Sequence, residues 1–169
     1  MFQRLSVKKP KLNFHEAAED IFLKLFKEEL HRTTGRIKFR LTDNHNAVSR
    51  DKLTLILSGL FVFIVEQSAS DVYGDTKLRK KMLNEFHFLI REEYEEYYAF
   101  IIELAQKFGI SYRKSPKEPL LELGLCFSNY IKKKNKNDII AAMACTTETA
   151  KKLRLISNYY RQLNKEFKV

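Results

Sequence analysis

Residues 53–65, LTLILSGLFVFIV, constrain the fold more than any other stretch of the chain. Only Thr54, Ser58 and Gly59 interrupt its large apolar side chains. Leu53, Ile56, Leu57, Leu60, Phe61, Ile64 and Val65 recur at helical spacing, and Leu55, Val62 and Phe63 fill the opposite side. A helix that is apolar all round must be enclosed by other elements, which makes this one central. Its flanks are also rich in strand formers, and Ser58-Gly59 is a turn-type dipeptide, so a buried hairpin stays open as the alternative. The spacing, and Ser49 as an N-cap, favour the helix. The apolar run falls short of the roughly 20 residues of a bilayer span, and Arg50, Asp51, Lys52 and Glu66 crowd its ends, so no membrane partner is expected.

What encloses this core is mostly helical in pattern. Residues 1–12 carry Lys8, Lys9, Pro10 and Lys11 without a clean period and read as a mobile arm. Asn13 and Glu16 form a capping-box signal for a helix whose apolar face is Phe14, Ala17, Ala18, Ile21, Phe22, Leu25, Phe26 and Leu30. Gly35 suits a left-handed cap, which places the helix end at 33–35. Residues 36–41, RIKFRL, alternate charged and apolar and read as a strand with one wet face. Residues 43–46 are a turn cluster. Residues 68–75 break the pattern at Gly74.

The longest predicted element is 76–108. Leu83, Phe86, Ile90, Tyr94, Tyr97, Ile101, Leu104 and Phe108 form one seam spaced by three or four. Unbroken, it would be about 50 Å long, a length suited to running along a bundle or forming a dimer interface. Gly109 is its expected C-cap, with Ile110 beyond it. Residues 111–115 are the candidate boundary. Ser115, Pro116 and Glu118 then read as N-cap, first helical residue and capping acid. Leu120, Leu121, Leu123, Leu125, Phe127 and Ile131 continue that helix to a basic turn at 132–137, KKKNKN. A short helix at 138–144 and a longer one at 147–165 complete the chain.

The charge of +10 is unevenly distributed. Residues 111–169 hold 13 Lys/Arg against 5 Asp/Glu, and the rest is nearly balanced. This asymmetry points the C-terminal third toward an acidic partner, most simply a nucleic acid. Residues 139–156, IIAAMACTTETAKKLRLI, fit two crossed helices: Ile139 and Met143 inward from the first, Ala144 at the turn, Cys145 buried there, Thr146 as N-cap, Ala150 and Leu153 inward from the second. The run CTTETAKKL resembles the recognition-helix segment of bacterial helix-turn-helix regulators, especially the cyclic-AMP receptor protein type. The resemblance covers some twenty residues. It departs from that pattern at bulky Ile140, at Ala144 in place of the usual turn glycine, and in lacking a following wing. It implies that Thr147, Glu148, Lys151 and Lys152 face the major groove. Lys132, Lys133, Lys134 and Lys136 would then meet backbone phosphates, and Arg154 and Arg161 would extend that surface.

Other chemistry finds little support. Glu28 and His31 stand at i and i+3, as in di-metal carboxylate sites, but the matching place has Asn84 before His87. His87 between Phe86 and Phe88 is a core-edge residue before it is a haem ligand. Glu92, Glu93, Glu95 and Glu96 read as a wet helix face. No P-loop, dinucleotide turn, nucleophile elbow or zinc-type Cys/His spacing occurs, so neither an enzyme nor a cofactor is expected. Five Gly and three Pro are too few for a turn-dense β-sandwich or barrel. Residues 1–11 have no apolar signal region, and Cys126 and Cys145 sit in apolar surroundings, which suits a reducing, cytoplasmic setting.

These observations converge on an all-α helical bundle with a long central helix, with room for one short strand pair near the N-terminus. Residues 13–110 would be a helical core and 115–169 a basic three-helix module, packed on it or separate. The leading functional expectation is a DNA-binding regulator, dimeric because two-fold pairing doubles a small reading surface. A helical adaptor docking an acidic protein is one alternative. A ligand-sensing bundle with a pocket among Phe61, Phe63, Phe86, Phe88 and Tyr97 is another.

Overall fold

The central apolar stretch is helical. In the computed structural model, which describes residues 13–42, 48–131 and 138–167, α3 runs Arg50–Tyr73 and is buried over most of its circumference. Ser49 caps it, its hydroxyl accepting from the Lys52 N–H at 3.2 Å. The hairpin alternative fails at Ser58-Gly59. Ser58 Oγ donates to the Thr54 carbonyl at 2.9 Å within the helix, and Gly59 has no positive φ. Gly59 is instead where α5 (Tyr98–Lys114) comes closest: a Cβ there would lie 2.3 Å from Leu104 Cβ and 3.1 Å from the Ile101 carbonyl oxygen. The missing side chain sets the separation of the two central helices. The helix also passes through 68–73 and stops only at Gly74, at φ 59. At 24 residues it is long and apolar enough to cross a membrane by length and composition, yet 72% of its apolar 18-residue window is packed inside the bundle.

The other helices surround α3. Residues 14–42 form one continuous helical rod: α1 (Phe14–Asp20), a π-helical segment (Ile21–Glu28) and α2 (Glu29–Thr42). Asn13 and Glu16 make the expected reciprocal capping box. The wider π turns place Ile21 with Phe22, and Leu25 with Phe26, on the buried side together. The expected end at 33–35 and the expected strand at 36–41 are both overturned. Gly35 lies within α2 with no positive φ, and the apolar stripe continues through Thr34 and Ile37 at helical spacing. The charged/apolar alternation of 36–41 misled because Phe39, a nominal inward residue, points to solvent at 77% exposure. Among the described residues all regular structure is helical. The expected arm at 1–12, turn at 43–46 and basic turn at 132–137 lie outside them.

The predicted 50 Å helix is two. α4 (Lys77–Glu93), capped by Thr76, ends at Tyr94, whose φ −127 and ψ 42 leave the helical region. A short 3₁₀ turn, Glu95–Tyr97, leads into α5. Tyr94 turns inward to meet Phe26 edge-on at 6.0 Å, and this break lets α4 pack on α1 while α5 packs on α3. The four neighbouring glutamates stay exposed. Gly109 does not cap α5. It is buried in mid-helix, Ile110 is exposed, and the helix continues to Lys114, through the boundary expected at 111–115. The next helix, α6, starts at Pro119 and not Pro116 (Pro119–Ile131), with the Glu118 carbonyl accepting from the Glu122 N–H at 3.2 Å.

The largest correction concerns the C-terminus. Asp138–Phe167 is a single helix of 30 residues, α7, so the turn required by the helix-turn-helix resemblance is not formed. Residues 138–167 contain neither Gly nor Pro, and the small residues read as a turn are a close-packing seam. Ala141, Ala142, Ala144 and Cys145 are buried, and a Cβ on Gly124 of α6 would stand 2.7 Å from the Ala142 carbonyl oxygen. Thr146 is no cap. Its hydroxyl is shared between the carbonyls of Ala142 (2.8 Å) and, on α6, Leu120 (3.1 Å). Met143, expected inward, is 64% exposed. α6 and α7 contribute Leu123, Phe127, Cys145, Ile156 and Tyr160 to the same apolar core as α1–α5. Burial pushes the Cys145 thiol up to about 12, which leaves it an unreactive core residue at neutral pH.

The two kinds of helical glycine should respond oppositely to substitution. Gly59→Ala gains about 1 kcal/mol of helix propensity but forces α3 and α5 apart, and should lower stability by about 1–3 kcal/mol net. Gly35→Ala, whose Cβ would meet nothing within 4 Å, should raise stability by about 0.5–1 kcal/mol. Urea unfolding followed by circular dichroism reads both; equal effects would contradict the packing described.

Candidate functional site

Among the described residues, a concentration of ionic groups lies where α2 packs on α7. On α7, Glu148 and Lys152 are one turn apart and both face inward, 2% and 6% exposed. Lys152 Nζ donates to Glu29 Oε2 on α2. Glu29 also takes Arg32 Nη1 at 2.7 Å and lies 3.8 Å from Arg36 Nη2. Arg36 Nη2 stands 3.1 Å from Glu148 Oε2, off the line of a hydrogen bond, and Lys151 Nζ approaches Glu148 Oε1 at 3.5 Å. Arg36 and Lys151 therefore flank one buried carboxylate from two different helices. Burial disfavours charge on Glu29, but hydrogen bonds and attraction from Lys152 and Arg32 outweigh it and hold its carboxyl below the ordinary 4.5.

Outward from this seam, α2 presents a row of arginines. Arg32, Arg36 and Arg40 recur every four residues, so they stand about 6 Å apart along the axis. They border an open groove of about 580 Å³ between α2 and the first turn of α3, together with His31, Gly35, Phe39 and Arg50. Arg50 Nη2 lies against the His31 ring, 3.2 Å from Nε2 and 3.3 Å from Nδ1. A second hollow of about 490 Å³ continues past His31 and Arg32 to Lys27, Glu28, Thr54 and Tyr94. The carboxylates Glu28, Glu29 and Glu148 face the cations Arg32, Arg36, Arg40, Arg50, Lys151 and Lys152, so among the described residues this region carries positive charge in excess.

The expected site residues are dispersed by this geometry. Thr147, Lys151 and Arg154 are exposed on α7, and Lys151 adjoins the arginine row through Glu148. Glu148 and Lys152 are buried and cannot meet a nucleic acid, which corrects their assignment to a reading surface. Lys132, Lys133, Lys134 and Lys136 lie outside the described residues. Counted from Lys151, the outer stripe of α7 carries Arg154, Arg161 and Lys165 over about 21 Å. Sequence reading missed the α2 arginines as a group because it divided α2 into a helix and a strand. Their spacing of four was the available signal.

The remaining candidates resolve as structure. Glu28 pairs with Arg32 at 3.5 Å, and no group of three His, Cys, Asp or Glu placed to hold a metal occurs among the described residues. Both His87 nitrogens are engaged, Nε2 with Glu66 at 2.8 Å and Nδ1 with the Tyr98 hydroxyl at 3.3 Å. Phe61 and Phe86 pack edge-on against Phe26, Phe63 lies tilted on Tyr112, and Phe88 and Tyr97 are exposed, so those five rings do not share a pocket. Comparison with family models, curated proteins and solved structures finds no match to this chain.

Removing one partner of the buried pair should expose its cost. Lys152→Met leaves Glu29 in a part-buried site without its main donor and should lower stability by about 3 kcal/mol. The lowered Glu29 value means its contribution is fully present above pH 4.5 and is lost as pH falls through the folded-state value. Glu29→Gln should therefore flatten part of the acid limb of the stability–pH curve, measured by urea midpoints between pH 3 and pH 7. An acid limb identical to wild type would contradict this account.

Proposed function

We propose that this is a non-enzymatic nucleic-acid-binding protein that holds phosphates on a cationic surface spanning α2, the start of α3 and the outer stripe of α7. The observation that carries this reading is the arginine row Arg32, Arg36 and Arg40, joined by Arg50 and continued by Lys151, along an open groove. Guanidinium groups suit phosphate because their planar forks give two parallel hydrogen bonds. Two of the arginines are already engaged by carboxylates, Arg32 by part-buried Glu29 and Arg36 by buried Glu148, so less side-chain entropy is lost on binding. The overall charge of +10 adds long-range attraction for a polyanion. Because residues 138–167 form one rod, the proposal involves backbone phosphates and no recognition helix entering a groove. The reducing, cytoplasmic setting inferred from the cysteines suits such a partner.

Binding to labelled nucleic acid should weaken steeply with salt, because each neutralised phosphate releases counterions. Arg40→Ala and Arg50→Ala, neither of which strips a buried carboxylate of its partner, should each weaken binding and reduce the salt slope by about one. Their melting temperatures should stay at the wild-type value. Elution from heparin, with DNA and polyglutamate as competitors, tests the class of partner. Release by polyglutamate at least as effective as release by DNA would favour an acidic protein and overturn the proposal.

A further inference from the structure

We infer that the outward face of α4 pairs with the same face of a second copy of the chain, the two helices running antiparallel across a two-fold axis at Phe88. The inference is independent of the nucleic-acid reading above. Lys77, Lys81, Asn84, Phe88 and Glu92 recur at intervals of three or four along α4, and all are exposed. The stripe is cationic at its start and acidic at its end, where exposed Glu95 and Glu96 extend it into the 3₁₀ turn. Phe88, 55% exposed, stands midway, about 10 Å along the axis from Lys81. A two-fold axis at Phe88 sets each residue against the one equally far beyond the centre. Lys81 then meets Glu95 of the second copy, the Asn84 amide meets Glu92, and the two Phe88 rings meet each other. Parallel pairing would instead oppose lysine to lysine and glutamate to glutamate, which is costly.

Two further observations select this occupant. Glu92, Glu95 and Glu96 have no ion-pair or hydrogen-bond partner among the described residues, whereas Glu93 is answered by Lys27 at 2.7 Å. Lys81 lies over the Phe14 ring and pairs with no carboxylate among those residues. Unanswered carboxylates on a chain of charge +10 repel nucleic acid and fit a cationic partner. The stripe itself carries that cationic complement, in reverse order. The apolar centre is also wider than one ring. Leu23, on the rod that packs beside α4, is 52% exposed. It lies between the two ion pairs that join rod and helix, His15–Glu85 at 2.6 Å and Lys27–Glu93. A second α4 laid along the first covers Leu23 and Phe88 together.

The test is sedimentation velocity of the full chain across the micromolar range, with thermal melts of each variant at concentrations where wild type is monomeric. Wild type should pass reversibly from monomer to dimer. Phe88→Asp, which sets two carboxylates face to face across the axis, should raise the dissociation constant about 30-fold or more. Its melting temperature should stay at the wild-type value. Lys81→Glu and Glu95→Lys should each weaken the dimer, and the double variant should restore it, because the exchange rebuilds both pairs. Phe88→Cys should give a disulfide-linked dimer under mild oxidation, which Leu121→Cys, at an exposed position on α6, should not. A chain that stays monomeric throughout, whatever covers Phe88, would overturn the inference. So would a dimer that Phe88→Asp leaves intact, or a double variant no tighter than either single one. None of these outcomes bears on the phosphate-binding reading.

Discussion

The burial of residues 56–65 of α3 on every side is the constraint from which the rest of the architecture follows. Leu53, Leu57, Leu60, Phe61, Ile64 and Val65 are almost wholly removed from water. Each such side chain contributes about 1.5–3 kcal/mol relative to exposure, so no arrangement that leaves one flank of α3 wet can compete. One helix cannot cover another all round. The chain therefore breaks at Tyr94 and Ser115 and returns, so that α2, α4, α5, α6 and α7 all reach α3. Tight approach is bought with side-chain volume at Gly59 against α5, and at Gly124 between α6 and α7.

Charge is arranged around this core by the same requirement. α7 must pack on α2 and α3 at once, which leaves Glu148 and Lys152 with no route to solvent. A buried ion pair stabilises little beyond an apolar pair of equal volume, but breaking one is costly, so alternative registers of α7 on α2 are disfavoured. The register fixed in this way holds Arg32 and Arg36 against Glu29 and Glu148 while their neighbours face the groove. Positional order on the surface thus derives from ionic contacts beneath it.

The degree to which the sequence disclosed this differs from place to place for physical reasons. The centrality of 53–65 was legible because an unbroken apolar surface has one solution, burial. Caps at Asn13 and Ser49 were legible because side-chain oxygens answer local N–H groups. Helix ends set by tertiary contact were not. Gly35 and Gly109 carry a stop signal locally, yet packing carries both helices past them. Tyr94 carries none, yet the chain breaks there to seat its ring on Phe26. At 139–156, small and polar residues matched a two-helix turn as well as a close-packed single helix. Only the partner, Gly124 on α6, separates the two. Of the candidate site residues, Lys151, Thr147 and Arg154 emerged on the surface. Lys152 did not, because its burial depends on Glu29, which is 123 residues away in sequence.

The arginine groove follows from the same logic on the side of α2 that packing leaves exposed. Thr34 and Ile37 turn inward, and the polar residues between them have to turn outward. Outward residues on most helices mix both signs, which limits self-repulsion. Here Arg32, Arg36 and Arg40 share one stripe, with Arg50 opposite; Glu28, Glu29 and Glu148 answer Arg32 and Arg36, but Glu29 and Glu148 are shared with Lys152 and Lys151, so positive charge stays in excess. Like charges held this close repel one another and destabilise the folded state. An anion bound there, as proposed above, would relieve that repulsion, and would do so only in the folded protein, where Arg32, Arg36, Arg40 and Arg50 line one groove. Its binding energy would therefore add to folding stability by mass action. The feature that is unfavourable for the isolated chain is thus the one that a polyanion would convert into affinity.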